Sequence, residues 1–275
     1  MIPTVTLNNG VEMPQLGLGT GGGDDDATRA RVRQALEAGY RLFDTAARYG
    51  NEAGVGRGVA DSGIPRSDIF VTTKLRGDDH GYESTKHALD ASLRRLGMDY
   101  VDLYLIHWPL PRLDKYAESW RAMEELLAEG KARAIGVSNF LAEHLDRLAA
   151  EYATVPAVNQ IEVHPRHPQP DQRADDQRRG IVTQSWSPLS RGGLLADPVL
   201  AAIAARHGRT PAQIVLRWHI EQGLTAIPKA SHIDRMRQNA DVFDFVLTDD
   251  DRTEIAGLAN GTEVSRLDPR THEEF

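Results

Sequence analysis

The chain has 275 residues, 40% of them hydrophobic and 26% charged, with a formal net charge of −8 and no cysteine. Disulfides and thiolate chemistry are excluded, and the acidic balance argues against a nucleic-acid or nonspecific polyphosphate binder. No window approaches the roughly 20 apolar residues of a membrane span, and the opening MIPTVTLNNG lacks the basic region and apolar run of a secretory signal, so a cytoplasmic protein is expected.

In chain order, Asn9-Gly10 lies between two short alternating runs in VTLNNGVEMPQ and predicts a hairpin with a two-residue loop, capping something larger. Short apolar runs then alternate with longer stretches of helical spacing. The strand candidates are LGLG (16–19), RLFD (41–44), IFVTTK (69–74), VDLYLIH (101–107), RAIGVS (133–138), AVNQIE (157–162), IVTQSW (181–186) and LTAI (224–227). Helices are predicted near 28–39, 51–62, 84–97, 115–129, 141–152, 170–179, 210–222 and 232–240, mostly punctuated by Gly or Pro. Eight β-then-α units without a linker predict one domain over 1–275, a parallel (β/α)8 TIM barrel with an N-terminal β-hairpin cap. Two extra helices, near 198–206 and 249–258, are expected to pack outside it. The runs Asp24-Asp25-Asp26 and Asp249-Asp250-Asp251 read as solvated or helix-start carboxylates, not as metal ligands.

In such a barrel the site lies at the carboxyl ends of the strands. Asp44 ends the second strand, Lys74 the third and His107 the fourth, and Tyr49 follows Asp44 in a polar segment. A lone strand-end His or Lys is usually structural or solvated; four converging ionisable groups are harder to dismiss. A phenol titrates near pH 10, and a nearby cation such as Lys74 would stabilise its phenolate, with Asp44 keeping the lysine charged. His107, flanked by Ile106 and Trp108, would orient an oxygen beside the phenol. This is a device for protonating a carbonyl oxygen, and a hydride from a reduced nicotinamide would complete the reaction. Ser138, Asn139 and Gln160 offer donors and acceptors for a carboxamide, and Trp186 offers a flat face. A phosphate site is expected in AIPKASHIDRMRQNA, where Lys229 ends the eighth strand and Ser231 would cap a helix carrying Arg235 and Asn239.

The stretches LGLGT, RLFDTAARYGNE, VTTKL, VDLYLIHWP, GKARAIGVSNF, VNQIEVHP, WSPLSRG and IPKAS...R...N, spanning 16–239, make the chain resemble an aldo-keto reductase of the prokaryotic group that includes the 2,5-diketo-D-gluconate reductases. The resemblance implies a catalytic tetrad of Asp44, Tyr49, Lys74 and His107, with Tyr49 as general acid. It implies that Ser138, Asn139 and Gln160 hold the nicotinamide amide, that Trp186 stacks on the ring, and that Ser187 and Leu189 belong to the loop over the pyrophosphate. Lys229, Ser231, Arg235 and Asn239 would hold the adenosine end and favour NADPH over NADH, with Thr20 a further contact. Trp108 and Arg76 are expected to wall the substrate pocket, Arg76 standing where relatives often carry Trp. GGGDDDATRA after the first strand replaces the usual loop with a bulky residue, so an open, flexible wall is expected. The tail ending VSRLDPRTHEEF is short, so the long carboxyl-terminal loop of the steroid-binding members is largely missing. Small polar carbonyl substrates are expected: aldehydes, diketones, α-keto esters and keto-sugar acids.

A metal-dependent barrel hydrolase is the first competing reading, but the first strand, LGLG, carries no ligand, and His164-Pro165-Arg166-His167 reads as a loop. A non-catalytic NADPH-binding regulatory or structural barrel is the second; the tetrad argues against it, since a structural protein has no need of an acid, its cation, the counter-ion and an orienting imidazole together. No metal or macromolecular partner is expected, and without an exposed apolar stripe a monomer is the default.

Overall fold

The computed structural model describes residues 2–274. A two-stranded antiparallel hairpin, β1 (Thr4–Thr6) and β2 (Glu12–Pro14), comes first. Its loop holds three residues, not two: the Leu7 N–H donates to the Val11 carbonyl, and Gly10 sits at φ +85, so that Asn8, Asn9 and Gly10 turn the chain. A left-handed glycine at the third position is the bulge that a three-residue loop uses to match strand twist. The hairpin closes the amino-terminal end of the barrel. Asn8 donates to the Pro156 carbonyl and Asn9 to that of Arg133, while Leu7 and Met13 pack on Leu42, Leu103, Ala134 and Val158.

Eight parallel strands follow, each paired with its successor: β3 (Leu18–Gly19), β4 (Leu42–Asp44), β5 (Phe70–Leu75), β6 (Val101–Ile106), β7 (Ala132–Ser138), β8 (Val158–Glu162), β9 (Val182–Trp186) and β10 (Thr225–Ala226). The first and last short strands meet through a parallel bridge, Leu16 to Ala226. Hydrogen bonds from Gly17 N to Ala226 O and from Gly19 N to Pro228 O close the (β/α)8 barrel. Strands β5 and β6 are buried along their whole length, as a parallel sheet walled by helices requires.

The helices are α1 (Asp25–Glu37), α2 (Glu52–Ala60), α3 (Tyr82–Leu96), α4 (Tyr116–Ala128), α5 (Ala142–Glu151), α6 (Pro170–Arg178), α7 (Pro198–His207), α8 (Pro211–Glu221), α9 (Ile233–Ala240) and α10 (Asp249–Ala256). Each sequence-predicted helix is present, and α7 and α10 are the two outside the alternation. These two pack together through Leu200, Ile203 and Ile255, with Arg206 and His207 on the Asp251 carboxylate. The aspartate runs start helices as expected. Asp24 caps α1 by accepting from Ala27 N, and Thr248 with Asp251 forms the capping box of α10.

Candidate active site

The carboxyl ends of the strands open into a cavity of about 980 Å³ that runs from Tyr49 and His107 past Trp186 to Lys229 and Arg235. Beneath it lies a buried charge pair. Lys74, 0% exposed, donates to Asp44 Oδ1 at 2.5 Å and to the Thr45 carbonyl at 3.0 Å, and the other Asp44 oxygen accepts from Gln160 Nε2 at 2.7 Å. Strand β4 ends on the aspartate and β5 carries the lysine inward beside it, so the pair is a product of strand register.

Tyr49 sits in a single helical turn, 47–49, directly after β4. Its ring lies 5.3 Å from Lys74 Nζ and meets the His107 ring edge-on at 5.9 Å. Here the expected electrostatics need correcting. Burial raises the Tyr49 pKa above its ordinary value, and the Lys74 charge only opposes that rise. The phenol is therefore held protonated rather than tuned towards neutrality. Burial works to strip Lys74 of its proton, but Asp44 and then Tyr49 outweigh it and keep the ammonium charged.

On the opposite wall Asn139, held at φ +61, donates to the His107 carbonyl and to Ser138 Oγ, and accepts from Trp186 Nε1 at 2.9 Å. The indole is thus fixed on the cavity wall. Ser138 donates to the Gln160 carbonyl, and both Gln160 amide hydrogens are engaged, by Asp44 and Gln184. Ser187, Leu189, Ser231 and Asn239 line the same cavity, as does Trp108. Lys229 is exposed at the cavity rim, and its pKa is lowered, first by the desolvation it does feel and then by the Arg31 charge.

Several expectations fail. Ser231 caps no helix: His232 holds the N-cap position of α9 and provides no side-chain bond, so the first N–H groups of that helix lack a side-chain partner. Thr20 does not line the cavity; its hydroxyl donates to the Asp44 carbonyl, a structural use at the β3 end. Arg76 is not a pocket wall either. The chain turns at 77–79, directing it to a separate depression beside Ala47 and Glu52, where it pairs with Asp78. The glycine loop is open, with Gly22 and Gly23 exposed, but it is tethered: Arg31 donates to the Thr20 and Gly22 carbonyls, and a Cβ added at Gly22, at φ +79, would stand 3.1 Å from Lys229 Nζ.

The sequence reading also missed what the tail brings. Although short, it crosses the mouth: Ser265 and Leu267 line the cavity, His272 packs edge-on at 4.4 Å against Trp108, and Glu274 reaches His107. Residues 260–274 carry no apolar periodicity that would have signalled this. Among the described residues no cluster of His, Asp and Glu is arranged to hold a metal ion.

The Aldo/keto reductase family profile matches residues 13–260. The chain belongs to this family. An aldo-keto reductase of Mycolicibacterium smegmatis is 51% identical over 98% of both chains, and a morphine 6-dehydrogenase of Pseudomonas putida is 47% identical over 98% of this chain and 95% of its own. Among solved structures, a mutant of Gox0644 in complex with NADPH is 43% identical and superimposes with a TM-score of 0.94 over 99% of each chain. As in other aldo-keto reductases, then, the cavity is where cofactor and substrate chemistry is to be sought.

Proposed function

We propose that this aldo-keto reductase uses NADPH to reduce small polar aldehydes and ketones, with Tyr49 as the general acid. The observation that carries the reading is a protonated, half-buried phenol above a buried ammonium–carboxylate pair, at one end of a cavity whose other end holds Lys229 and Arg235. The residues fit the cofactor. The uncapped start of α9 with Arg235, and the exposed Lys229 ammonium, suit phosphates; Asn139 Oδ1 and Ser138 Oγ keep lone pairs for the N–H groups of a carboxamide, and Trp186 gives a fixed flat face. Gln160, whose amide hydrogens are spent, positions Asp44 and has only its carbonyl left to offer a ligand.

NADPH, when bound, supplies the hydride. Tyr49 holds the proton the product alcohol needs, and burial keeps that proton in place at neutral pH. Lys74 stabilises the phenolate once the proton has left, and Asp44 keeps Lys74 charged. His107 orients the carbonyl oxygen beside the phenol. The test is loss of NADPH absorbance when the purified protein meets a panel of small aldehydes, diketones, α-keto esters and keto-sugar acids, repeated with NADH. Turnover with NADPH preferred supports the reading; NADPH binding without turnover of any member would move a non-catalytic role to the front.

A further inference from the structure

The tail is anchored at two points. Buried Glu162, at the end of β8, accepts from Val264 N, Ser265 N and His164 Nε2, fixing the start of the strap. At the far end Glu274, 3% exposed, accepts from Gly77 N at 3.1 Å through Oε2. Its Oε1 lies 2.6 Å from His107 Nδ1 and 3.7 Å from Arg48 Nε. The approach to the imidazole is bent, within ion-pair distance but off the N–H direction. At that separation a bare ring nitrogen and a carboxylate oxygen would set lone pair against lone pair, so the contact requires a proton on Nδ1.

His107 has no other side-chain partner among the described residues. Apart from the edge-on contact of the Tyr49 ring, Glu274 is therefore the polar group among the described residues that meets this ring, which lines the cavity. His80 lies beside the same carboxylate, buried, with neither ring nitrogen bonded; burial pushes its pKa down to about 4, so it offers no competing charge. A carboxylate so far out of water persists only where partners meet it, and Gly77, Arg48 and His107 are those partners.

We propose that Glu274 is a positioning residue for His107: the tail carboxylate fixes the imidazole with its proton on Nδ1, so that Nε2 is the atom presented to the substrate oxygen. The catalytic face is then completed by the carboxyl-terminal strap, 167 residues beyond the histidine it orients. This rests on the reductase reading above. Nε2 can donate to the substrate oxygen only when it too carries a proton, so the ring works doubly protonated, the form a neighbouring carboxylate favours; a neutral ring protonated on Nδ1 alone would leave Nε2 an acceptor.

The test is Glu274→Gln, which keeps the shape and an acceptor for Gly77 while turning an amide N–H towards the ring. The expected result is a kcat loss of about 10- to 100-fold with little change in KM or NADPH affinity. In protein labelled with 15N-histidine, with His107 assigned through His107→Asn, the Nδ1 resonance should move from the protonated towards the unprotonated range. Glu274→Ala should recover part of its activity when acetate is added, and Glu273→Gln, on the exposed neighbour, should leave kcat unchanged. A kcat within about twofold of wild type, or a fall in kcat with the Nδ1 resonance unmoved, would overturn the proposal and leave the tail a packing element. Wild-type protein that reduces no carbonyl would instead sink the reductase reading, while the Nδ1 comparison would still decide whether Glu274 holds the ring.

Discussion

Asp44→Asn isolates the physics on which the site depends. The substitution leaves Lys74, 0% exposed, with neutral acceptors, the Thr45 carbonyl and the new amide oxygen, and no counter-charge. Losing one member of a buried pair costs about 3–5 kcal/mol, but here the lysine can escape by shedding its proton. Each pKa unit is worth about 1.4 kcal/mol, and an unfolded lysine titrates near about 10.4, so deprotonation at pH 7 costs about 4.6 kcal/mol and sets a ceiling on the penalty. At pH 9.5 the same ceiling falls to about 1.2 kcal/mol. In the variant the folded pKa lies below the unfolded one, so the unfolded state binds more protons and the deficit shrinks as pH rises. In the wild type the folded pKa is raised, and its contribution is intact until pH climbs past the unfolded lysine value. At about 2–4 °C per kcal/mol for a chain of this size, the melting gap should be roughly 6–18 °C at pH 7 and a few degrees at pH 9.5. Thermal unfolding followed by circular dichroism at the two pH values reads this directly. A gap that is equal at both, or under about 2 °C at neutral pH, would show that Lys74 is not a buried charge held by Asp44.

Other consequences follow from the same geometry. Tyr49→Phe should lower kcat by about 10²- to 10⁴-fold with NADPH affinity unchanged, read by quenching of tryptophan fluorescence; loss of binding with chemistry retained would contradict the acid assignment. Arg235→Ala should weaken NADPH by about 10- to 150-fold, the loss of a hydrogen bond to a charged group, while NADH changes little. Equal weakening of the two cofactors would remove Arg235 from the ribose phosphate. Gly136→Ala should destabilise by about 1–3 kcal/mol, because a Cβ there would stand 2.5 Å from the Val158 carbonyl of the neighbouring strand. Urea unfolding should show a lower midpoint at unchanged slope, and an unchanged midpoint would mean that β7 and β8 separate freely.

The barrel was legible because its signals are local. The strands announced themselves as short apolar runs, and most helices by spacing and a Gly or Pro stop. The cluster of Asp44, Lys74 and His107, with Tyr49 beside it, was legible for a related reason: a residue that ends a parallel strand points to the same rim in every such barrel. Where strand parity stopped, the reading failed. Arg76 follows Lys74 by two residues and would share its face on a continued strand, but the turn at 77–79 breaks the alternation. Thr20 was placed on the right rim, but its hydroxyl found the nearer Asp44 carbonyl. The glycine loop looked loose because its restraint, Arg31, comes from one helical face away. Glu274 was out of reach altogether, since no local pattern tells a polar tail which strand end it will find.

The phenol's direction of shift bears on how the site divides its work. On the proposed reading, in which Tyr49 is the acid, a site that merely lowered its pKa would leave it partly ionised before substrate arrives. Burial instead dominates and keeps the proton on, while the Lys74 charge waits beneath. The lysine's attraction for a phenolate is then felt most when the negative charge develops, which is when a preorganised cation lowers a barrier rather than merely binding. For this to work the ammonium must not be neutralised by its own burial, and Asp44, oriented by Gln160 and spent on no other charge, prevents that. The same arrangement explains why Lys74 lies under the cavity and not on its wall, with Asp44 at the floor between them. A lysine on the cavity wall would be hydrated and its field screened, whereas at 0% exposure it acts through protein alone.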